Sequence, residues 1–198
     1  IRSKAPLRLG LAGGGTDVSP YADLHGGSIL NATINLYAHT TIIPRDNGKI
    51  YLEAQDIDVN ETLVSAEVID TSGKLGLLKG VYNRIVKDFV KKPLSFDIYT
   101  RVDAPPGSGL GSSSTLVVSI IGAFAEWCNI PLGEYDIAHL AYEIERVDLG
   151  LAGGRQDQYA ATFGGFNFME FYKDDKVIVN QIRLKQRYAA ELEHNLAV

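Results

Sequence analysis

The chain has 198 residues, 45% of them hydrophobic and 22% charged, which is typical of a globular protein with a sizeable core. A net charge of -5 without any block of lysine or arginine argues against a nucleic-acid-binding surface. Cys128 is the single cysteine, so an internal disulfide is excluded and the histidines cannot complete a zinc-binding spacing with it. Small molecules are therefore the expected partners.

Two further features concern the compartment. No stretch reaches the ~18 apolar residues that a membrane-spanning helix needs, and the first residues lead into a strand-like run without the apolar core of a signal peptide. A single cysteine fits a reducing environment. We therefore expect a cytoplasmic protein that binds neither membranes nor nucleic acids, and the sequence leaves its oligomeric state open.

The N-terminal third predicts a sheet, because runs of β-branched and aliphatic residues alternate with Gly, Pro and the turn residues 46–48. The segment 61–69 is less regular. A helix is predicted over 77–89, since apolar residues recur at helical spacing from Leu78 to Phe89. The predicted strands cover residues 6–12, 28–36, 38–43 and 49–53.

The second half predicts mixed structure. A strand over 95–101 leads into a glycine-rich segment, which is followed by a helix from Leu116 to Trp127. Further along, helices are predicted over 135–147 and 185–196, a glycine-rich turn over 150–154, and strands over 162–172 and 176–184. Because the last helix runs to an apolar end without a cap, we expect a truncated protein.

The glycine-rich segment, residues 105–114, has the composition of an anion-binding loop. Glycine lets backbone N–H groups approach a ligand closely, and the unpaired donors at a helix N-terminus favour phosphate. The Walker pattern is absent because no lysine follows Gly111, and the dinucleotide fingerprint fails at Ser112. The glycine run 13–15 fails likewise at Val18. The glycines alone leave an ordinary strand-to-helix turn open as the alternative.

Three further segments carry charged residues that could do chemistry. Arg8 and Asp17 flank a glycine turn, and a carboxylate can accept hydrogen bonds from two sugar hydroxyls, although a capping Asp and a surface ion pair would look the same. Asp157 follows another glycine turn and is a candidate general base or an Asx-turn residue. Glu143 and Glu145 are two apart on a helix, so at most one should reach a metal ion.

The assembled pattern resembles the family of galactokinase, homoserine kinase, mevalonate kinase and phosphomevalonate kinase, the GHMP kinases. Residues 105–114 resemble the central signature, residues 5–8 the N-terminal motif and residues 154–158 the turn that bears the base. The motifs occur in the family's order, and the resemblance covers roughly residues 4–172. It implies a kinase that uses ATP and Mg²⁺.

The resemblance also implies roles for individual residues. Asp157 would take the substrate proton, Arg8 fills the catalytic lysine or arginine position, and Ser113 and Glu145 would approach Mg²⁺. The phosphates of ATP would be held by Pro106, Gly107, Ser108, Gly109, Leu110, Gly111, Ser112, Ser113 and Ser114.

The expected substrate is a sugar, since Asp17 matches the sugar-binding aspartate of the galactokinase branch and follows Thr16 as it does there. The usual Glu-His is replaced by Gly14 and Gly15. We expect Gly14, Gly15, Thr16 and Asp17 to contact the substrate. This version of the motif is most similar to that of D-glycero-D-manno-heptose 7-phosphate kinases, which phosphorylate the anomeric hydroxyl for nucleotide-activated heptose synthesis. Fucokinase or galactokinase-like activity, a non-catalytic ATP- and sugar-binding regulator, and a decarboxylase of the mevalonate branch are the alternatives.

The fold that the resemblance implies is α+β, the N-terminal domain of GHMP kinases, also described as ribosomal protein S5 domain 2-like. It combines a mixed sheet with helices on one side and a left-handed crossover, which periodicity could not reveal. We expect the ATP-binding domain to cover residues 1–180 and residues 181–198 to begin a C-terminal domain that is largely absent. The family's third glycine motif, which belongs to that domain, is missing.

Overall fold

A computed structural model describes residues 1–196. Its centre is one mixed seven-stranded sheet, in which six strands follow the order β4-β3-β5-β2-β6-β7 and β1 pairs with β2. All pairs are antiparallel except β3 with β5. The expected α+β fold with a mixed sheet is confirmed. The strands are β1 (Arg2–Ala12), β2 (Gly27–Pro44), β3 (Lys49–Ala54), β4 (Val59–Val64), β5 (Phe96–Val102), β6 (Phe166–Phe171) and β7 (Val177–Ile182).

Helices cover the sheet and continue into two π-helical turns. The longest helix, α3, packs on β1, β2 and β5, and α5 packs on β1 and β2. The π-helical turns Val86–Val90 and Ile144–Asp148 extend α2 and α4, which confirms the two predicted helices there. The helices are α1 (Tyr21–His25), α2 (Gly76–Ile85), α3 (Ser112–Cys128), α4 (Glu134–Glu143), α5 (Gln156–Phe163) and α6 (Gln186–Asn195).

Strand β2 runs for 18 residues and is the longest strand of the sheet. The prediction of two separate strands here was wrong, because no Gly, Pro or turn pair interrupts the chain at Leu36 and Tyr37. The irregularity is in the pairing instead: the register with β1 shifts between Pro6 and Arg8. Across this shift β1 advances from Pro6 to Arg8 while β2 advances from Tyr37 to Thr33, so the extra residues lie in β2.

The core lies between the sheet and the helices. Buried residues alternate along the strands, as with Ile50 and Leu52 of β3, so one face of the sheet is packed. An aromatic group anchors α3 on β5, where the ring of Phe96 lies 5.3 Å from Phe124 and 5.6 Å from Trp127. The C-terminal end of α3 is therefore anchored on the sheet.

Three elements differ from the sequence prediction. Strand β4 was missed because its outward residues, such as Asn60 and Thr62, gave no apolar run. Helix α1 has only five residues. Helix α5 replaces the predicted loop and the start of the strand over 162–172, since its small and polar residues give weak periodicity and only the glycines at 164 and 165 end it.

The C-terminal part was predicted correctly as strand and helix. Helix α6 has no buried residue, whereas every other helix has at least one. The predicted uncapped end involves Ala197 and Val198, which lie outside the described residues. The domain boundary at residue 180 stays a prediction. Over residues 1–196 there is no helix of the length and apolarity needed to cross a membrane.

Candidate active site

The glycine-rich segment forms an exposed loop between β5 and α3. Gly107, Gly109 and Gly111 have φ values of 81°, 75° and 73°, in the left-handed region that favours glycine. A Cβ on Gly107 or Gly109 would meet open space, so the backbone there is accessible to a ligand. Ser112 begins helix α3, and the serines predicted to follow the loop therefore form the first helical turn, with its unpaired N–H groups.

The loop borders two adjoining clefts of about 220 Å³ and 460 Å³, and both are lined by Leu77 and Ser113. The smaller cleft also contains Pro106, Gly107 and Ser112. The larger one lies between Ser113 and residues 71–76 on the way into α2. The two clefts form one groove, and of the predicted phosphate-binding residues it is lined by Pro106, Gly107, Ser112 and Ser113. Ser114 instead points into the protein and is 3% exposed.

Arg8 connects β1 to the loop and to α5. Its Nε donates to Asp157 Oδ1 at 2.7 Å, and its Nη1 donates to the carbonyl of Gly109 at 2.6 Å. The backbone N–H of Arg8 donates to the carbonyl of Leu110 at 3.1 Å. The side chain is 13% exposed, so the ion pair with Asp157 is partly shielded from water and is not the surface pair that the sequence left open.

Asp157 lies in the first turn of α5 and not in the glycine turn itself. Its carboxylate packs against Gly111, where a Cβ would lie 3.1 Å from both Cγ and Oδ2. Real Cβ contacts are rarely so close, so glycine at 111 makes room for this carboxylate. The Asp157 side chain is 23% exposed, which leaves it partly accessible to solvent.

Glu145 is buried behind the loop, whereas Glu143 points away and contacts Arg84. Gln158 Nε2 donates to Glu145 Oε2 at 2.5 Å and to Ser114 Oγ at 3.1 Å. Burial raises the pKa of the Glu145 carboxyl above its ordinary value, and this is partly opposed by Arg146 and by hydrogen bonds from Ser114 and Gln158. Of the two serines, Ser114 is therefore the one next to Glu145, while Ser113 lines the groove.

This neighbourhood fits a divalent cation held together with a nucleotide. Within residues 1–196 no group of three or more His, Cys, Asp or Glu could hold a metal alone. Mg²⁺, however, needs only one or two carboxylates when phosphates and water supply the other ligands. Glu145 offers a carboxylate that is 1% exposed, and in the described chain the buried Gln158 Oε1 has no hydrogen-bond partner. Such an undersatisfied set of oxygens suits a hard cation.

Asp17 is 3% exposed and caps helix α5. Its Oδ2 accepts hydrogen bonds from the backbone N–H of Arg155 at 2.7 Å and of Gln156 at 2.9 Å. Gly154 must be glycine, because a Cβ there would lie 2.0 Å from this oxygen. Within the described residues Oδ1 accepts no hydrogen bond and remains available to a hydroxyl. The cap is thus on a helix distant in sequence and not on the next turn, which was the alternative left open by the sequence, and sugar binding stays a prediction for Oδ1.

The glycine turn before Asp17 is built by Thr16. Its hydroxyl donates to the carbonyl of Gly13 at 2.8 Å and accepts from the N–H of Ser28 at 3.1 Å. Gly14 and Gly15 are exposed, and a Cβ on either would meet open space. Thr16 therefore shapes the turn, and of the four predicted substrate residues only the two glycines present an open backbone.

Two residues of the site were missed by sequence reasoning. Gln158 joins Glu145 to Ser114, and Arg155, 4% exposed, binds Asp175 at 2.6 Å and the carbonyl of Tyr172 at 3.2 Å. Once α5 is known, their spacing of three places both on its buried face. The missed helix was therefore also the reason that these two residues were overlooked.

Comparison with known proteins identifies the family and the fold. A family model described as the GHMP kinases N terminal domain matches residues 76–165. Over 98% of its length the chain is 62% identical to D-glycero-alpha-D-manno-heptose 7-phosphate kinase of Campylobacter jejuni subsp. jejuni serotype O:2. The chain belongs to the GHMP kinase family and has the fold of its N-terminal domain.

Solved structures extend the comparison. A crystal structure of a D-glycero-D-manno-heptose 1-phosphate kinase from Bacteriodes thetaiotaomicron has a TM-score of 0.94 and 58% identity over 97% of this chain. Galactokinase of Lactococcus lactis, solved with galactose, has a TM-score of 0.76 at 20% identity over 93% of this chain and 47% of its own, which shows the shared fold alone. This chain spans 57% of the Campylobacter jejuni relative and 63% of the Bacteriodes protein.

Proposed function

We propose that the intact protein is an ATP-dependent sugar kinase that phosphorylates the anomeric hydroxyl of D-glycero-D-manno-heptose 7-phosphate. The observation that carries the proposal is that Arg8 contacts both Asp157 and Gly109, because this brings a cation, a carboxylate and a phosphate-binding type of loop to one place. The 62% identity to the Campylobacter jejuni kinase supports this choice of sugar. The product would carry the anomeric phosphate needed for nucleotide activation.

In the proposed reaction, ATP lies along the groove with its phosphates at the glycine loop and the first turn of α3. The sugar oxygen attacks the γ-phosphorus while Asp157 accepts its proton, and the bond to the oxygen of ADP breaks. Arg8 stabilises negative charge on the transferring group. Phosphoryl transfer depends mainly on positioning and charge neutralisation, which these residues supply.

A bound Mg²⁺ would neutralise charge on the phosphates. Glu145 is the proposed carboxylate for the ion, and Ser113, which lines both clefts, is the proposed hydroxyl ligand. Ser114 would support Glu145 from the buried side, since Gln158 links the two.

Sugar recognition is proposed for Oδ1 of Asp17 and for the exposed backbone of Gly14 and Gly15. The turn lies beside the start of α5, because Asp17 is bonded to Arg155 and Gln156 there. A hydroxyl bound by Asp17 would therefore lie close to the residue that follows, Asp157.

The test is turnover of the intact protein with MgATP and a panel of sugars. The panel contains D-glycero-D-manno-heptose 7-phosphate, the 1-phosphate isomer, fucose and galactose, and phosphorus NMR assigns the new phosphate. We expect the 7-phosphate to be used best and its anomeric oxygen to be modified. Modification of another hydroxyl, or better use of fucose or galactose, would overturn the substrate. ATP and sugar binding without turnover would favour the non-catalytic regulator.

A further inference from the structure

A buried lysine on helix α2 forms an ion pair with a partly exposed glutamate and has no part in the site described so far. Lys79 is 3% exposed, and its Nζ lies 2.8 Å from Glu61 Oε2 on strand β4. Burial of an ammonium group costs free energy unless the group is paired and hydrogen-bonded. A lysine at this position therefore points to a contact that an apolar residue could not make.

That contact is with the segment between β4 and α2. Lys79 Nζ donates to the carbonyl of Ser72 at 3.1 Å. The neighbours of Ser72 in the chain, Thr71, Gly73 and Lys74, line the 460 Å³ cleft that Ser113 borders from the other side. Lys79 thus holds, from behind, the wall that faces the start of α3.

Other side chains of α2 hold the same segment farther from the cleft. Tyr82 Oη donates to the carbonyl of Ala66 at 2.6 Å. Asn83 exchanges two hydrogen bonds with the backbone of Ile69, at 2.9 Å and 2.8 Å. Neither Ala66 nor Ile69 lines the cleft. Among these contacts of α2 side chains, the one with Ser72 is therefore the nearest to the residues that line the cleft.

We propose that Lys79, paired with Glu61, is a positioning residue for the nucleotide. It fixes the wall formed by residues 71–74 so that ATP meets a preformed cleft and does not have to order this segment on binding. The inference rests on the proposed function, since the cleft is taken as the nucleotide site. Lys79 acts through the backbone of Ser72 and touches neither ATP nor sugar.

The test compares Lys79→Met and Glu61→Gln with Tyr82→Phe in the intact protein. Methionine keeps an unbranched stem without the ammonium group, and glutamine keeps the shape of Glu61 without its charge. Tyr82→Phe is the matched control, because it removes a buried hydrogen bond from the same helix to the same segment, away from the cleft. The measurements are the Kd of ATP by calorimetry, both KM values, kcat and Tm.

We expect the Kd and KM of ATP to rise about tenfold in both ion-pair variants, with kcat at saturation and the KM of the sugar phosphate within about twofold. Tyr82→Phe should lower Tm and leave the ATP affinity unchanged. Unaltered ATP affinity in a folded ion-pair variant, or an equal loss in Tyr82→Phe, would overturn the inference. If Lys79→Met does not fold, the ATP affinity of Glu61→Gln decides the question. If the parent protein itself does not bind ATP, the proposed function fails and this inference fails with it.

Discussion

The guanidinium of Arg8 and the carboxylate of Asp157 form a close ion pair across 149 positions of sequence, with Nε and Nη2 each 2.7 Å from Oδ1. Strand β1 brings Arg8 to this point just after the register shift with β2, and helix α5 brings Asp157 from the other side. The pair uses Oδ1 only. Oδ2 of Asp157 lies toward Gly111 and takes no part in the ion pair.

The first prediction concerns Asp157→Asn. The amide keeps the shape of the side chain but cannot act as a base, so kcat should fall by ~10²- to 10⁴-fold while the affinities for ATP and sugar phosphate change little. Steady-state kinetics and calorimetry on the intact protein measure both effects.

The control is Asp97→Asn. Asp97 also accepts hydrogen bonds from an arginine, Arg45, at 2.9 Å and 2.5 Å, but on a strand face away from the glycine loop. Its variant should keep normal turnover. A near-normal kcat in Asp157→Asn would leave Asp157 as a helix N-terminal residue and remove it from the mechanism.

The second prediction concerns Arg8→Ala. Turnover should fall more than ATP affinity, because a fixed cation at the transferring group acts chiefly in the transition state. A smaller loss of ATP affinity is expected as well, since Arg8 also binds the carbonyl of Gly109. Arg8→Lys should recover only part of the activity, because lysine cannot contact Asp157 and Gly109 with one planar fork.

For Arg8, the matched variant is Arg45→Ala, which removes an arginine from an exposed ion pair with Asp97. Unchanged turnover is expected there. If Arg8→Ala kept the parental kcat, the ion pair would be structural and the proposed role of Arg8 would be wrong.

The third prediction separates two glycines of the loop. Gly109→Val should abolish ATP binding, since its side chain would project into the open space that the phosphates need. Gly111→Ala should lower kcat most, because its Cβ would push against the carboxylate of Asp157. Calorimetry with ATP and steady-state kinetics distinguish the two effects.

Gly48→Ala is the control for the left-handed backbone itself. Gly48 has a φ of 69° in the loop between β2 and β3, and an added Cβ there would have no neighbour. This variant should lower the free energy of unfolding by about 1 kcal/mol and leave the activity unchanged. Tight MgATP binding by a folded Gly109→Val would contradict the phosphate-binding role of the loop.

The fourth prediction concerns Asp17. Asp17→Ala leaves the buried N–H groups of Arg155 and Gln156 without an acceptor, and should cost about 1–3 kcal/mol in the free energy of unfolding. Asp17→Asn keeps an acceptor oxygen and should retain more of that stability. Denaturant unfolding of both variants gives the comparison.

Sugar binding by Asp17 is tested in the same variants. Asp17→Asn should weaken binding of the sugar phosphate and reduce discrimination among epimers, because one hydrogen-bond acceptor becomes a donor. A stable Asp17→Asn protein with parental affinity and selectivity would limit Asp17 to its contact with helix α5.

The sequence predicted the order of most elements and the residues of the glycine loop, because apolar periodicity and glycine are strong local signals. It could not predict that Ser114 turns inward to Glu145 while Ser113 faces the groove, since that depends on where α3 begins. Nor could it give both contacts of Asp17, because its partners lie 138 and 139 positions away. Long-range pairing of this kind leaves no periodic trace.

The cap that Asp17 places on helix α5 also bears on motion. The glycine turn before Asp17 cannot swing away from α5 unless both hydrogen bonds break and two buried amides lose their acceptor. A sugar bound there would meet a rigid pocket and would pay little ordering entropy on this side. Amide hydrogen exchange at Arg155 and Gln156 should accordingly be slow before any substrate is added.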